Sequence, residues 1–296
     1  DAGQATRLRA EAVRLQEAAD AHAWDGDWYL RAWSDEGDRI GSRESLECRI
    51  DLIAQAWSVI GRDGGVPTQA RRALASAWER LVSQGDRLVR LLAPPFDRAK
   101  PHPGYIRGYP PGIRENGGQY SHAAVWLAWA FSMLGDGDTT GALFDLLNPI
   151  LRTRAPDDML RYRVEPYVYA ADIGGAPPYV GRGGWTWYTG SAGWAWRLGV
   201  ERLLGLRLEG RSFRIQPCIP ATWPGYGMTW RTSGATYEIT VCRGTGTASE
   251  TRFDDRVLED GCIPLLEDGG THRVEVRLAT SSGIGRREQI LSSGEV

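Results

Sequence analysis

The chain has 296 residues, 42% of them hydrophobic, and a net charge of -2, which is enough for two domains and a sizeable core. Near-balanced charge leaves no electrostatic footprint for nucleic acid and none for an anionic membrane surface. No apolar run reaches the ~20 residues that a bilayer span requires, and no basic-then-apolar signal opens the chain.

Cys48, Cys218, Cys242 and Cys262 form no CxxC pair and no metal spacing, so no metal centre is expected. They are too sparse for a disulfide framework, and a reducing compartment is the default. Position 1 is Asp rather than Met, and we expect the chain to start inside a longer polypeptide. Trp is abundant at 13 copies. Core packing accounts for most of them, and sugar-binding clefts are one place a surplus goes.

Residues 3–23, rich in Ala, Arg, Leu and Glu at helical spacing, predict a helix. A turn-rich connection follows, with a short hairpin around Asp35-Glu36-Gly37. Its acidic residues do not match the spacing of a calcium loop. Ser45 reads as the cap of an amphipathic helix over 46–60, apolar at Leu46, Ile50, Ile53, Trp57 and Ile60. Pro67 suits a first turn, and helix continues over 68–82. A short helix is expected over 86–92, before Pro94-Pro95. Residues 96–117 are too rich in Pro and Gly for regular structure, and loops this long are usually functional. Helix returns over 119–134, stopped by Gly135-Asp136-Gly137, and again over 140–147. A further helix is considered over 163–172. Residues 174–184 read as loop, and 191–204 as a helix ended by Gly205.

The period then changes. Leu206, Leu208, Phe213, Ile215, Tyr237, Ile239, Val241, Val274, Val276 and Leu278 alternate with polar residues, as strands do, with a hairpin turn at Glu209-Gly210-Arg211. The chain therefore reads as mainly α with a C-terminal β module. Residues 1–205 form the helical part, 206–280 the β part, and 281–296 a flexible polar tail. Helix pairs of this kind build solenoids or closed α/α toroids, and no fixed-length solenoid repeat is present.

Two segments carry chemistry. The first is Arg114-Glu-Asn-Gly-Gly-Gln-Tyr-Ser-His122; the second is Gly183-Gly-Trp-Thr-Trp-Tyr-Thr-Gly-Ser-Ala-Gly-Trp194. Each sets a few polar groups among glycines and rings. Rings pack on the apolar faces of sugars, carboxylates accept from hydroxyls, and amides at a helix start hold anions. A carbohydrate site with an anion pocket is the natural reading. At residue level the alternatives stay open. Glu115 is either a sugar-facing carboxylate at a helix start or a charge favoured by the helix dipole. His122 is either a core residue or a ligand that Gly117-Gly118 leave approachable. Thr189-Gly190-Ser191 is either a phosphate seat or a capping turn. Glu165 and Tyr167 add another carboxylate and ring. Asp25, Asp27, Glu115, Glu165 and Asp172 are candidate acids, and their spacing selects no pair.

The run Tyr105-Ile-Arg-Gly-Tyr-Pro-Pro-Gly-Ile-Arg-Glu-Asn-Gly-Gly-Gln-Tyr-Ser-His122 resembles the inverting glycoside phosphorylases related to cellobiose phosphorylase (glycoside hydrolase family 94 type). Within that group it looks most like the C-terminal region of cyclic β-1,2-glucan synthases. Trp24-Asp-Gly-Asp-Trp-Tyr29, Glu47-Cys-Arg-Ile-Asp-Leu-Ile-Ala-Gln-Ala-Trp57, Val164-Glu-Pro-Tyr-Val-Tyr169, the 183–194 segment and Pro217-Cys-Ile-Pro220 match in the same order, over roughly residues 20–280.

The resemblance implies the C-terminal part of an (α/α)6 barrel followed by a β-sandwich. It implies phosphorolysis or transfer on β-linked glucan, with inversion, giving α-glucose 1-phosphate. Phosphate is a co-substrate and no cofactor is implied. His122, Thr189 and Gly190 match phosphate-binding residues, and Arg114 and Glu115 match residues at the leaving-sugar side. Where cellobiose-type members carry Gln, this chain has Ala171. The family's general acid lies in an Asp-Trp-Asn-Asp motif upstream of the Trp-Asp-Gly segment, and no such motif occurs here. The catalytic acid is therefore expected upstream of residue 1. About seven helices are expected, roughly half a barrel. Its uncovered face, with Trp126, Trp129, Trp185 and Trp187, should seek an upstream segment of the same protein or a second copy. Partners are then a β-glucan oligosaccharide and phosphate, at a cytoplasmic location that upstream segments could tether to a bacterial inner membrane. A non-catalytic carbohydrate-binding or assembly piece is the alternative, and a barrel hydrolase using water a third.

Overall fold

The computed structural model describes residues 1–279 apart from Asp63, Ala99, Pro101, Tyr188 and Thr247. The expected tail over 281–296 lies outside the described residues. Eight α-helices occur among the described residues, against the seven expected: α1 Ala2–His22, α2 Leu52–Ile60, α3 Thr68–Leu81, α4 Ser121–Met133, α5 Gly137–Leu147, α6 Pro149–Arg152, α7 Pro156–Tyr162 and α8 Ser191–Arg197. A π-helical stretch, Leu198–Leu203, continues α8.

The helical part is organised around α4. Its sequence is apolar all round, with Ala123, Ala124, Val125, Leu127, Ala128, Trp129, Ala130 and Phe131 buried. A helix without a polar face belongs in the interior. Helices α2, α5 and α8 pack on it, and its alanines let them approach closely. By contrast α1 buries no residue. It is held at its C-terminal end, where Asp20 accepts from the Tyr29 hydroxyl at 2.6 Å and pairs with Arg62.

Three expected helices are corrected. Residues 46–51 are not helical: Leu46 is exposed, and Ile50–Asp51 pairs with Leu92–Ala93 as a short strand. The helix starts after Asp51, whose carboxylate accepts from the amides of Ile53 (2.9 Å) and Ala54 (3.4 Å), so Asp51, not Ser45, is the cap. Residues 86–92 form no helix. Val82–Ser83 pairs with Leu88–Val89 in a hairpin whose turn places Arg87 at φ 54. Residues 163–172 are likewise not helical, because Arg163, in the left-handed region at φ 56, terminates α7.

From Leu206 onward the structure is strand. A three-stranded sheet orders Ile263–Pro264, Ser212–Ile215 and Leu206–Glu209. A five-stranded sheet orders Gly225–Arg231, Thr236–Arg243, Thr271–Leu278, Glu250–Phe253 and Arg256–Leu258. All neighbours are antiparallel except Thr236–Arg243 with Thr271–Leu278. One apolar cluster draws on both sheets: Leu206, Phe213 and Ile215 from the first, Tyr237, Ile239, Val241, Val274 and Val276 from the second. This is the inward half of the alternation read from the sequence. The strands are tied to the helices by the Tyr226 hydroxyl bonding to the Leu204 carbonyl and by the Ala221 amide donating to Asp138 at 2.7 Å. A side chain on Gly137 would come within 2.2 Å of the Ile219 carbonyl, so this joint needs glycine.

His272 bridges two carboxylates in the second sheet, with Nδ1 at 2.7 Å from Asp254 and Nε2 at 3.2 Å from Asp268. Both nitrogens can donate only when the ring is protonated. The Asp254 bond above all, with Asp268, raises its pKa. Stability from this clamp is therefore complete below the unfolded value of about 6.5 and lost as pH rises through the folded one. We expect the urea midpoint to fall across that alkaline window, and His272→Gln to flatten the fall.

Candidate functional site

The loop preceding α4 is shaped by Asn116, which is fully buried. Its Oδ1 accepts from the Phe96 amide at 2.7 Å, and its Nδ2 donates to the carbonyls of Phe96 and Tyr109, both at 2.8 Å. Its own carbonyl accepts from Gly112 at 2.7 Å. This closes the tight turn 112–116 and forces Arg114 to φ 49. Gly118 tucks beneath: a Cβ there would lie 2.9 Å from the Arg114 carbonyl.

Arg114 projects between two rings. Its guanidinium carbon is 5.3 Å from the ring centroids of both Tyr109 and Trp185. Asp172 lies across from Tyr120 in a two-residue strand pair, Gln119–Tyr120 with Asp172–Ile173. Its buried carboxylate accepts from the Trp185 amide at 3.3 Å. A Cβ on Gly184 would come within 2.5 Å of that carboxylate. Burial raises the Asp172 pKa, the Trp185 amide and the Arg114 charge oppose the rise, and Glu115 adds to it. Burial, followed by the Glu115 charge, also raises Tyr120. Arg114, Glu115, Tyr120 and Asp172 thus form one electrostatic group.

The adjoining half is built on the first turn of α4. The His122 ring is 4.5 Å from Trp126 and 5.7 Å from Trp194. A Cβ on Gly190 would lie 3.6 Å from His122 Cε1, so Gly190 sits against the imidazole. Burial lowers the His122 pKa, leaving the ring neutral at pH 7. Beside Gly190, Thr189 Oγ1 lies 2.6 Å from Ser191 Oγ and accepts from the Ser191 amide at 3.1 Å. Backbone bonds join the halves: Ser121 N–H to the Ala171 carbonyl at 2.9 Å, and Ala171 N–H to the Trp185 carbonyl at 2.6 Å.

Among the described residues, five side chains hold a buried polar atom without a hydrogen-bond partner. Four belong here: Arg114 Nε, Glu115 Oε2, His122 Nε2 and Trp126 Nε1. Buried polar atoms are nearly always paired, so such a concentration marks a place where a polar ligand completes the bonding.

The structure thus brings Arg114 and Glu115 together with Asp172, and His122 together with Thr189 and Gly190. Glu115 is not at a helix start, because Gln119–Tyr120 intervenes before α4; the helix-dipole reading of it falls. Asp25 and Asp27 are engaged elsewhere. Asp25 accepts from Ser42 and the Arg43 amide, and Asp27 pairs with Arg72 at 3.0 Å. The uncovered tryptophan face also needs correction. Trp129 is only 5% exposed and packs on Trp194, whereas Trp185 and Trp187 are open. Sequence reasoning missed Asn116 and Tyr120, for which the Gly-flanked turn around Asn116 was the available signal. Among the described residues no group of three or more His, Cys, Asp or Glu could hold a metal ion, and no helix is long and apolar enough to cross a membrane.

A helical scaffold thus presents a glycine-built, ring-walled polar site. The sequence model of the Glycosyl hydrolase 94 superfamily, catalytic domain, matches residues 1–205, and the chain belongs to that family. It is 47% identical over 229 residues to cyclic beta-(1,2)-glucan synthase NdvB of Rhizobium meliloti (strain 1021), covering 77% of this chain and 8% of the relative. It is 34% identical to solabiose phosphorylase of Paenibacillus borealis, covering 93% of this chain and 36% of the relative. It is 33% identical to N,N'-diacetylchitobiose phosphorylase of Vibrio furnissii, covering 84% and 31% respectively. The chain therefore spans at most about a third of the length of these relatives.

Asn116→Ala would leave the Phe96 amide and the Phe96 and Tyr109 carbonyls buried without partners. We expect a loss of about 3 kcal/mol in urea unfolding, with release of Arg114 from its two rings. An unchanged midpoint would show that the turn holds without the clamp.

Proposed function

We propose that this chain is part of the catalytic domain of a glycoside phosphorylase-type enzyme acting on β-linked glucan, by branch β-1,2-linked. In this reading phosphate oxygen attacks the anomeric carbon as the β-glucosidic C–O bond breaks, and a carboxylic acid protonates the leaving oxygen. The product is α-glucose 1-phosphate, formed with inversion. Phosphate replaces water as nucleophile, so one protein acid suffices. His122, Thr189 and Gly190 hold phosphate, and Arg114 and Glu115 hold the leaving sugar. The Asp-Trp-Asn-Asp motif is absent from the sequence, and we assign the proton donor to a part of the protein outside residues 1–296. Residues 1–205 are assigned to an (α/α)6 barrel and 206–280 to a β-sandwich, a division that the two separate apolar clusters support. We place the enzyme in the cytoplasm, with upstream segments able to tether it to a membrane.

The unpaired polar atoms of Arg114, Glu115, His122 and Trp126, gathered around one short strand pair, carry this reading. A neutral His122 can donate one N–H to a phosphate oxygen. Glu115 accepts from sugar hydroxyls, and a charged acceptor strengthens such bonds. Similarity to phosphorylases and to a β-1,2-glucan synthase supports the reaction class and the linkage.

The intact protein, given β-1,2-gluco-oligosaccharide and phosphate, is expected to release α-glucose 1-phosphate. Free glucose formed without phosphate would make it a hydrolase instead. His122→Ala should raise the KM for phosphate far more than that for sugar; equal losses would remove it from the phosphate seat. Glu115→Gln should raise the acceptor KM in the synthetic direction about tenfold, the worth of one charge-assisted bond. An unchanged acceptor KM would exclude it. Residues 1–296 alone should give at most trace turnover, because a proton donor contributes about 10²–10⁴-fold.

A further inference from the structure

Glu165, Tyr167 and Trp187 have no role in the reaction just described, yet they form an ordered group. Trp187 is 70% and Tyr167 65% exposed. Their rings meet edge to face, with centroids 6.4 Å apart and planes at 72°. The Trp187 indole N–H donates to Glu165 Oε1 at 2.8 Å. Trp187 sits at φ 63, an outlier for a bulky residue. Such backbone persists where its surroundings enforce it, and it clusters at ligand-binding sites. Here the conformation turns a large ring outward instead of burying it.

The position of this group matters as much as its composition. Trp187 lies on the loop that carries Trp185, which packs on Arg114, and Thr189, which sits beside Gly190 and His122. Trp187 therefore stands on a loop whose neighbouring residues line the candidate site. Trp187 and Tyr167 combine open π faces with a fixed carboxylate that retains lone pairs for hydroxyl donors, the pairing that recognises a pyranose.

We infer that Tyr167, Trp187 and Glu165 form an outer subsite that holds further sugar units of a β-glucan chain whose end occupies the inner site. This rests on the glucan reading proposed above. The subsite would make affinity depend on chain length: a disaccharide fills only the inner site, whereas a longer chain also reaches the rings.

The test is calorimetric binding, without phosphate, of a β-1,2-linked disaccharide and a long linear oligosaccharide to the intact protein. The long chain should bind more tightly. Trp187→Ala should weaken it about five- to tenfold, as expected for one aromatic contact, and leave the disaccharide unchanged. Tyr167→Ala should act in the same direction, and Trp187→Phe should retain most of the affinity. Both side chains are exposed, so thermal melting should not move. Equal affinity for the two lengths in the wild type, or equal loss for both in Trp187→Ala, would overturn the subsite. So would unchanged sugar affinity with altered sedimentation, which would mark the rings as a protein contact. Because binding is read without turnover, a Trp187-dependent length effect in a protein releasing no glucose 1-phosphate would sink the phosphorylase reading and leave this inference standing.

Discussion

The pairing of Gln119–Tyr120 with Asp172–Ile173 is the contact on which the site depends. Two-residue strands are not stable alone. Here the Gln119 side chain accepts from the Val89 amide at 3.0 Å, and the bridge from Ile173 to Gly183 extends the pairing into a third segment. Three segments are thereby joined: the run from Arg114 and Glu115 to His122, the strand at Asp172–Ile173, and the loop that begins at Gly183. A slip of one residue would turn Asp172 away from Tyr120 and break the register of every side chain around it. The core beneath α4 prevents that slip, because the helix start is bonded directly to Ala171.

Packing around α4 is dense and apolar, which makes an unpaired polar atom there costly. That four of the five such atoms among the described residues fall in one region is the strongest physical sign of function. The fifth, Arg152 Nε, makes a useful contrast. Its Nη2 donates to the carbonyls of Arg87 and Leu146, and its guanidinium carbon lies 6.0 Å from the Tyr162 ring centroid. Burial lowers its pKa to about 10, but it remains charged at neutral pH and ties α6 and α7 to the hairpin at Arg87. Arg152 has structural bonds that account for it. His122 Nε2 and Glu115 Oε2 do not.

Much of this was legible in the sequence, and the failures have local causes. The apolar positions from Leu46 to Ile60 fit a helical period, yet Cys48 adopts φ 46 and Asp51 pairs with Arg31 while capping α2. A tertiary ion pair and a strand partner outweighed a periodicity that was correct only from Leu52 onward. Between 86 and 92 the apolar residues serve two small strand pairs, which no local pattern separates from a helix turn. The alternation after Leu206 was readable where strands bury one face, as in Ser212–Ile215, Thr236–Arg243 and Thr271–Leu278, whereas Leu208, expected inward, is exposed. For the site, glycines and rings announced the two loops. That Asp172 would face Tyr120, and Trp185 cover Arg114, depends on long-range pairing that one sequence does not display.

The two halves of the site differ in charge, and that difference follows from how they are walled. Around His122 the walls are tryptophan rings, and burial keeps the imidazole neutral. Around Arg114 the walls are also rings, but a fixed cation stands between them with Asp172 and Glu115 beside it. With all three ionised, the Arg114 group carries one net negative charge. Protonation of Asp172, which its raised pKa brings closer to neutral pH, would cancel that charge. A neutral hydroxyl-rich ligand suits such a group, because its hydroxyls can donate to carboxylates and accept from a guanidinium. An anion suits it less well while both carboxylates are ionised, whereas His122 stands among rings and beside Gly190. The proposed division, sugar at the Arg114 half and phosphate at the His122 half, follows the family motif, and this difference in charge is compatible with it.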